Sequence, residues 1–161
     1  MRKILFSVFI VLAILAVSCK KTLPDIGQTA TQKASNGWWV NYYVDGAPQL
    51  PSPVFFTTYN SSSSADSMWI DDLSKFWQFK GKVKIDYPSL TFGATGSEND
   101  YYPSTANIAN GKILPKAGHS RAGNVTDSIY MEIQFSDDSP AFGTTYIISG
   151  TARTGFIEDD Y

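Results

Sequence analysis

"FWQFKGKVKIDY", Phe76 to Tyr87, is the stretch whose reading decides the fold class. Its odd positions are Trp77, Phe79, Gly81, Val83, Ile85 and Tyr87; its even ones after Phe76 are Gln78, Lys80, Lys82, Lys84 and Asp86. Successive side chains on a strand point to opposite faces, so the stretch reads as a strand with a dry face and a wet one. The lysines mark the wet face.

"DSIYMEIQF", Asp127 to Phe135, repeats the pattern, with Ile129, Met131, Ile133 and Phe135 set against Ser128, Tyr130, Glu132 and Gln134. Working outward, similar runs are separated by turn residues: "WWVNYYV" before the turn pair Asp45-Gly46, then "SPVFFTTY", "DSMWID", "SLTFGA", "GKILP" and "TTYIISGTA". That makes about eight strands, and no ten-residue window carries a helical stripe. A short helical turn is expected near Asp71 to Lys75. Strands dry on one side and wet on the other belong to an all-β antiparallel fold, either an up-and-down barrel or a two-sheet β-sandwich.

The aromatic residues Trp38, Tyr42, Phe56, Trp69, Trp77, Phe79 and Tyr146 are candidates to line a ligand pocket in that fold. Equally, they can simply fill it, because an eight-stranded barrel is only just wide enough inside for side chains.

The N-terminus carries an address. "MRKILFSVFIVLAILAVSCKK" has two basic residues, an apolar run from Ile4 to Val17 and small residues before a cysteine, the layout of a secretory signal peptide. Leu15-Ala16-Val17-Ser18-Cys19 resembles the lipobox of bacterial lipoproteins, departing from it with Ala16 where leucine is usual. The resemblance implies removal of residues 1–18 and lipid attachment at Cys19. Cys19 is the only cysteine in the chain, so an internal disulfide and a thiol nucleophile in the domain are both excluded. Residues 19–36 are polar and broken by Pro24 and Gly27, and read as a flexible tether averaging roughly 20 to 25 Å end to end. The domain is expected over residues 37–161.

Without residues 1–18, which carry Arg2 and Lys3, 11 basic residues face 15 acidic ones, a net charge of −4. That balance excludes a nucleic-acid binder, which must neutralise phosphates.

The closing run "DSIYMEIQFSDDSPAFGTTYIISGTARTGFIEDD" resembles a family of Bacteroidetes lipoproteins described as lipid-binding putative hydrolases, which are similar to lipocalin-like barrels. The resemblance is carried by Ile129 to Phe135 with Ser136-Asp137-Asp138, by Gly143-Thr144-Thr145-Tyr146, and by Gly150 with Arg153-Thr154-Gly155-Phe156. It implies an eight-stranded lipocalin-like barrel and an apolar, lipid-like ligand. Lipocalins also carry a Gly-x-Trp on the first strand whose ring packs under an arginine of the last strand. Gly37-Trp38-Trp39 and Arg153 fit that spacing through Trp39. The strand's own alternation groups Trp38 with Val40, Tyr42 and Val44, and points Trp38 inward instead.

The stretch closest to a hydrolase motif is "GHSRAG", Gly118 to Gly123. A nucleophile elbow is Gly-x-Ser-x-Gly with a histidine from elsewhere in the chain. Here one residue too many separates Ser120 from Gly123, and His119, the only histidine, adjoins Ser120. No Ser-x-x-Lys follows Cys19 either. No catalytic residue is assigned. The acidic pairs Asp71-Asp72, Asp137-Asp138 and Glu158-Asp159-Asp160 lack calcium-loop spacing and read as solvated turns and a tail, so neither metal nor cofactor is expected.

The sequence therefore predicts a lipid-anchored envelope protein that binds a small apolar or amphipathic molecule. Its expected partners are the membrane, through the anchor, and that ligand. Lys20-Lys21 directly after Cys19, where surface-displayed lipoproteins of this phylum often carry acids, favours the periplasmic face of the outer membrane. The alternatives are a non-enzymatic accessory module making contacts through Trp39, Tyr43, Tyr101 and Tyr102, and a weak hydrolase.

Overall fold

Strands that alternate dry and wet must bury their dry faces together, and here they do so by closing on themselves. A computed structural model describes residues 29–161. A single 3-10 turn, η1 (Gln32–Ala34), leads into β1 (Asn36–Val44), β2 (Ala47–Pro48), β3 (Val54–Asn60), β4 (Ser67–Asp71), β5 (Lys80–Asp86), β6 (Thr91–Glu98), β7 (Thr105–His119), β8 (Val125–Phe135) and β9 (Tyr146–Ala152), with a second 3-10 turn, η2 (Ile157–Asp159). From β3 to β9 each strand pairs antiparallel with the next in the chain, and β1 pairs with both β3 and β9. Trp38, for example, lies opposite Phe56 on one side and Ala152 on the other. The result is a closed eight-stranded antiparallel barrel plus β2, a short extension folded back on β1. Asp45 and Gly46, at φ 49° and 78°, make that return as the primed turn that Asp-Gly favours.

Closure depends on a close approach. Val40 faces Gly150 across the β1–β9 seam, and a Cβ at position 150 would sit 2.0 Å from the Trp39 carbonyl oxygen. Only glycine lets the two backbones meet there.

The inward set follows the predicted alternation. Trp38, Val40 and Tyr42 of β1, Val83 and Ile85 of β5, and Ile129, Met131, Ile133 and Phe135 of β8 are all buried, while Lys82 and Lys84 stand outside. These side chains both line the barrel and fill it, Phe56, Met68, Ile70, Ile113 and Ile148 occupying the middle.

Several expectations need correction. Phe76 to Phe79 do not belong to β5, which starts at Lys80; they form a loop. No helix forms over Asp71 to Lys75, because Leu73 and Ser74 take the left-handed φ values 51° and 57° and turn the chain sharply. "GKILP" is the middle of a 15-residue strand, β7. Ahead of Gly37, Thr31 and Ala34 are already buried against the barrel, at 1% and 0% exposure. Cys19 and most of the expected tether lie outside the described residues, as does the signal segment.

The alternating strand directions give the barrel two unlike ends. At one, the start of β1, η1 packs under the interior: Trp38 Nε1 donates to Thr58 Oγ1 at 2.9 Å, and that hydroxyl donates to the Ala34 carbonyl. The C-terminal segment locks the same end. The Arg153 guanidinium grips Asp160 through Nε at 2.7 Å and Nη2 at 2.5 Å. Asp159 accepts from Thr154 Oγ1 at 2.6 Å, Ala122 N at 2.8 Å and Asn124 Nδ2 at 3.2 Å. The other end, formed by the loops after β2, β4, β6 and β8, is the mouth.

Candidate functional site

The mouth is built around the loop that the sequence disguises as a strand. Asp72, at the end of β4, is buried, and its carboxylate gathers the loop. Oδ1 accepts from Ser74 N at 2.8 Å and Phe79 N at 3.0 Å, and Oδ2 from Trp77 N at 2.7 Å. Burial raises the Asp72 pKa above the usual carboxylate value, with those N–H donors pulling it back. Asp71 beside it accepts from Leu73 N at 2.8 Å and from the Tyr101 hydroxyl at 2.8 Å. Leu73, Ser74 and Gln78, at φ 51°, 57° and 54°, are three non-glycine residues in the left-handed region within one loop. Such conformations cost on the order of 1 to 3 kcal/mol each, and they gather where the fold holds a functional segment in place.

What the loop presents is aromatic. Phe76 stacks on Tyr42 at 4.1 Å between centroids with the planes 22° apart, and Trp77 stacks on Phe135 at 4.6 Å and 1°. Tyr146 touches Phe76, Trp77 and Phe135, and Phe79 meets Phe135 edge-on. Phe76 and Trp77 are half-buried, so these two loop residues form the plug between solvent and the interior.

Beneath the plug lies an unpaired polar group. The Tyr42 side chain is 1% exposed, and its hydroxyl has no hydrogen-bond partner among the described residues. Burial, followed by the charges of Asp72 and Asp71, pushes its pKa well up, so the phenol stays protonated. Two more acids stand on the rim, in the loop after β8. Asp137 accepts from Trp77 Nε1 at 3.1 Å and the Tyr102 hydroxyl at 2.6 Å, and Asp138 from Ser139 N at 2.7 Å and the Tyr146 hydroxyl at 3.5 Å. Tyr101, leaning on Asp71, has its pKa pushed up to about 12, first by burial and then by that hydrogen bond.

Of the seven aromatic residues expected to line the barrel, Trp38, Tyr42, Phe56, Phe79 and Tyr146 are inside and Trp77 is at the mouth. Trp69 is not among them. In β4 its neighbours Met68 and Ile70 are the inward pair, and Trp69 lies on the outer face with Lys80 Nζ 4.9 Å and Lys82 Nζ 4.6 Å from its ring centre.

Trp39 is outside as well, half-buried between Phe55 at 5.3 Å and Tyr161 at 5.6 Å. The arginine expected over it is committed to Asp160. The indole N–H of Trp39 faces that same carboxylate without closing a well-formed hydrogen bond. Strand alternation, not the Gly-x-Trp spacing, describes the pair correctly. Gly37 keeps a packing role, with the Phe55 ring lying where its Cβ would be, at 2.6 Å.

Asp71, Asp72 and Asp159 are buried rather than solvated, and reasoning from the sequence missed them. The available signal was the spacing of Asp72 to Ser74, a side chain bonding the backbone two residues on, which is how aspartate organises turns. "GHSRAG" is likewise a turn in service of the tail. Ser120 Oγ accepts from Asn124 N at 3.0 Å, while His119 is exposed.

A groove of about 900 Å³ lies on the outer wall over β5 to β8. Its polar groups are largely spent on one another: Tyr130 and Asn110 both donate to Glu132 at 2.9 Å, and Lys112 sits over the Tyr130 ring. Among the described residues no three His, Cys, Asp or Glu side chains are placed to hold a metal ion.

The family model described as "lipid-binding putative hydrolase" matches residues 23–157. The chain belongs to that family. Its match spans every strand of the barrel and the plug loop. No curated protein matches the sequence. A crystal structure at 2.40 Å resolution of a protein of unknown function from Bacteroides ovatus is similar at 11% identity and a TM-score of 0.48, over 79% of this chain. The chain spans 43% of that protein's length.

Proposed function

We propose that the protein is a lipid-anchored component of the cell envelope that takes up a small apolar or amphipathic, lipid-like molecule at the mouth of its barrel, without covalent chemistry. The observation that carries the reading is the plug. Phe76 and Trp77 close the interior from a loop rather than from a strand, so they can leave it without breaking the barrel's ladder. A ligand then gains the apolar surface that the two rings give up, Tyr42, Phe135 and Tyr146. The family's description as lipid-binding supports the ligand class. The anchor rests on Cys19 and its lipobox, and the periplasmic face of the outer membrane on Lys20-Lys21. The ligand and the membrane are the proposed partners.

The test is extraction of protein purified from cells, with mass spectrometry of the extract, followed by titration of the stripped protein with alkyl ligands while tryptophan emission is read. A co-purifying amphiphile and a saturable change from Trp77 are expected. An empty extract together with unchanged emission overturns the reading.

The filled interior favours a second reading, a non-enzymatic accessory module in an envelope complex. Its contact residues do not make one surface, however: Tyr101 and Tyr102 are at the mouth, Trp39 is near the opposite end and covered by Tyr161. The hydrolase alternative has less support, since Ser120 sits in the turn after β7, at the end of the barrel away from the mouth.

A further inference from the structure

The mouth offers its ligand a particular charge. Asp71, Asp72, Asp137 and Asp138 surround the plug, and none is within ion-pair distance of a cation among the described residues. Their partners are neutral donors: the tyrosine hydroxyls of Tyr59, Tyr101, Tyr102 and Tyr146, the Trp77 indole and backbone N–H groups. Lys80, the nearby cation that does form an ion pair, is bound to Asp100 at 2.6 Å. Below this rim the buried Tyr42 hydroxyl, in the field of Asp72 and Asp71, is left unpartnered beneath Phe76. A buried hydroxyl without a partner is costly, and a ligand donor that pairs with its oxygen offsets part of that cost on binding.

We propose that the ligand taken up at this mouth is a cationic amphiphile, an apolar chain ending in a protonated amine, which seats its ammonium beneath the plug with an N–H donating to the Tyr42 oxygen. The aromatic rings supply faces that attract a cation, and the aspartates supply the counter-charge without having to be released from a lysine or arginine. A carboxylate of the same chain length meets the opposite field. This deepens the proposed function and rests on it.

Three ten-carbon probes separate the two. Decylammonium, decanol and decanoate are titrated below their micelle concentrations into the stripped protein and into its Tyr42→Phe variant, which keeps the ring and its stacking. Decylammonium is expected to bind at least about tenfold tighter than decanol, with decanoate weakest. Tyr42→Phe is expected to lose about tenfold for decylammonium. Decanoate binding as tightly as decylammonium overturns the inference and leaves an apolar ligand standing. So does a Tyr42→Phe variant that binds decylammonium as the parent does, because the attraction is then only that of an acidic surface. Failure of all three probes overturns the uptake of an amphiphile itself, and this inference with it.

Discussion

The two ends of this barrel close in different ways. At the η1 end most polar groups are paired, Trp38 with Thr58, Thr58 with Ala34, Asp159 with the turn after β7 and Arg153 with Asp160, the Trp39 indole N–H on the outer wall being the exception. At the mouth the seal is made of rings, under which the Tyr42 hydroxyl goes unpaired. A closure whose buried groups are satisfied loses stability when any member is removed. One that leaves a hydroxyl orphaned inside the barrel gives up stability there, and this is the reason the binding site is proposed at the mouth.

The largest test exchanges one residue type between the ends. Trp38→Ala removes a fully buried ring and its hydrogen bond to Thr58, and is expected to cost about 3 to 5 kcal/mol in chemical denaturation. Trp77→Ala at the mouth removes a half-buried ring and is expected to cost about 1 to 2 kcal/mol while changing ligand affinity. Equal losses in stability would erase the distinction.

Thr58→Val sharpens the sealed end. It leaves Trp38 Nε1 and the Ala34 carbonyl without their partner, for an expected loss of about 1 to 3 kcal/mol by the same measurement. Tyr42→Phe is the counterpart, because it deletes a group that has no partner to lose. Its expected effect on stability is neutral to favourable, up to about 1 kcal/mol. A destabilised Tyr42→Phe would mean that the hydroxyl is paired after all.

Acid should separate the ends more gently. The pKa values of Asp159 and Asp160 are held below the usual carboxylate value, the first mainly by the Thr154 hydroxyl and the second by Arg153. Their stabilisation is present above the unfolded-state pKa near 3.8 and is lost as pH falls through the lower folded-state values. Asp72 has the opposite sign. Raised in the fold, it contributes stability below that pKa which is lost as pH rises through its folded value. Hydrogen exchange below pH 4 should therefore show the C-terminal segment losing protection before the plug loop.

These contrasts were only partly legible in the sequence. Alternation sorted Trp38 from Trp39 and found the dry faces of β5 and β8, because period two is read wherever a strand is regular. It failed where the backbone leaves the strand without glycine to announce it. Phe76, Trp77 and Phe79 imitate a strand's apolar set, yet the left-handed Gln78 lies between them. In β7, bulges at Asn110 and Lys116, φ 53° and 56°, break the alternation, so only the short apolar "GKILP" showed. Trp69 was misplaced for another reason. Its size drew it inward although Met68 and Ile70 already held that face. The orphaned hydroxyl of Tyr42 has no sequence signal at all, since it depends on what four loops bring around it.

An even count of strands has a geographical consequence. Eight antiparallel strands return the chain to its starting side, so the segment entering β1 and the tail leaving β9 emerge together at the paired end. With a lipid on Cys19 as proposed, that end sits toward the bilayer, and the plug is held above it by roughly the 20 Å length of a six- or seven-residue strand. Cargo would then be handed over from the aqueous side rather than drawn sideways out of the leaflet that carries the anchor.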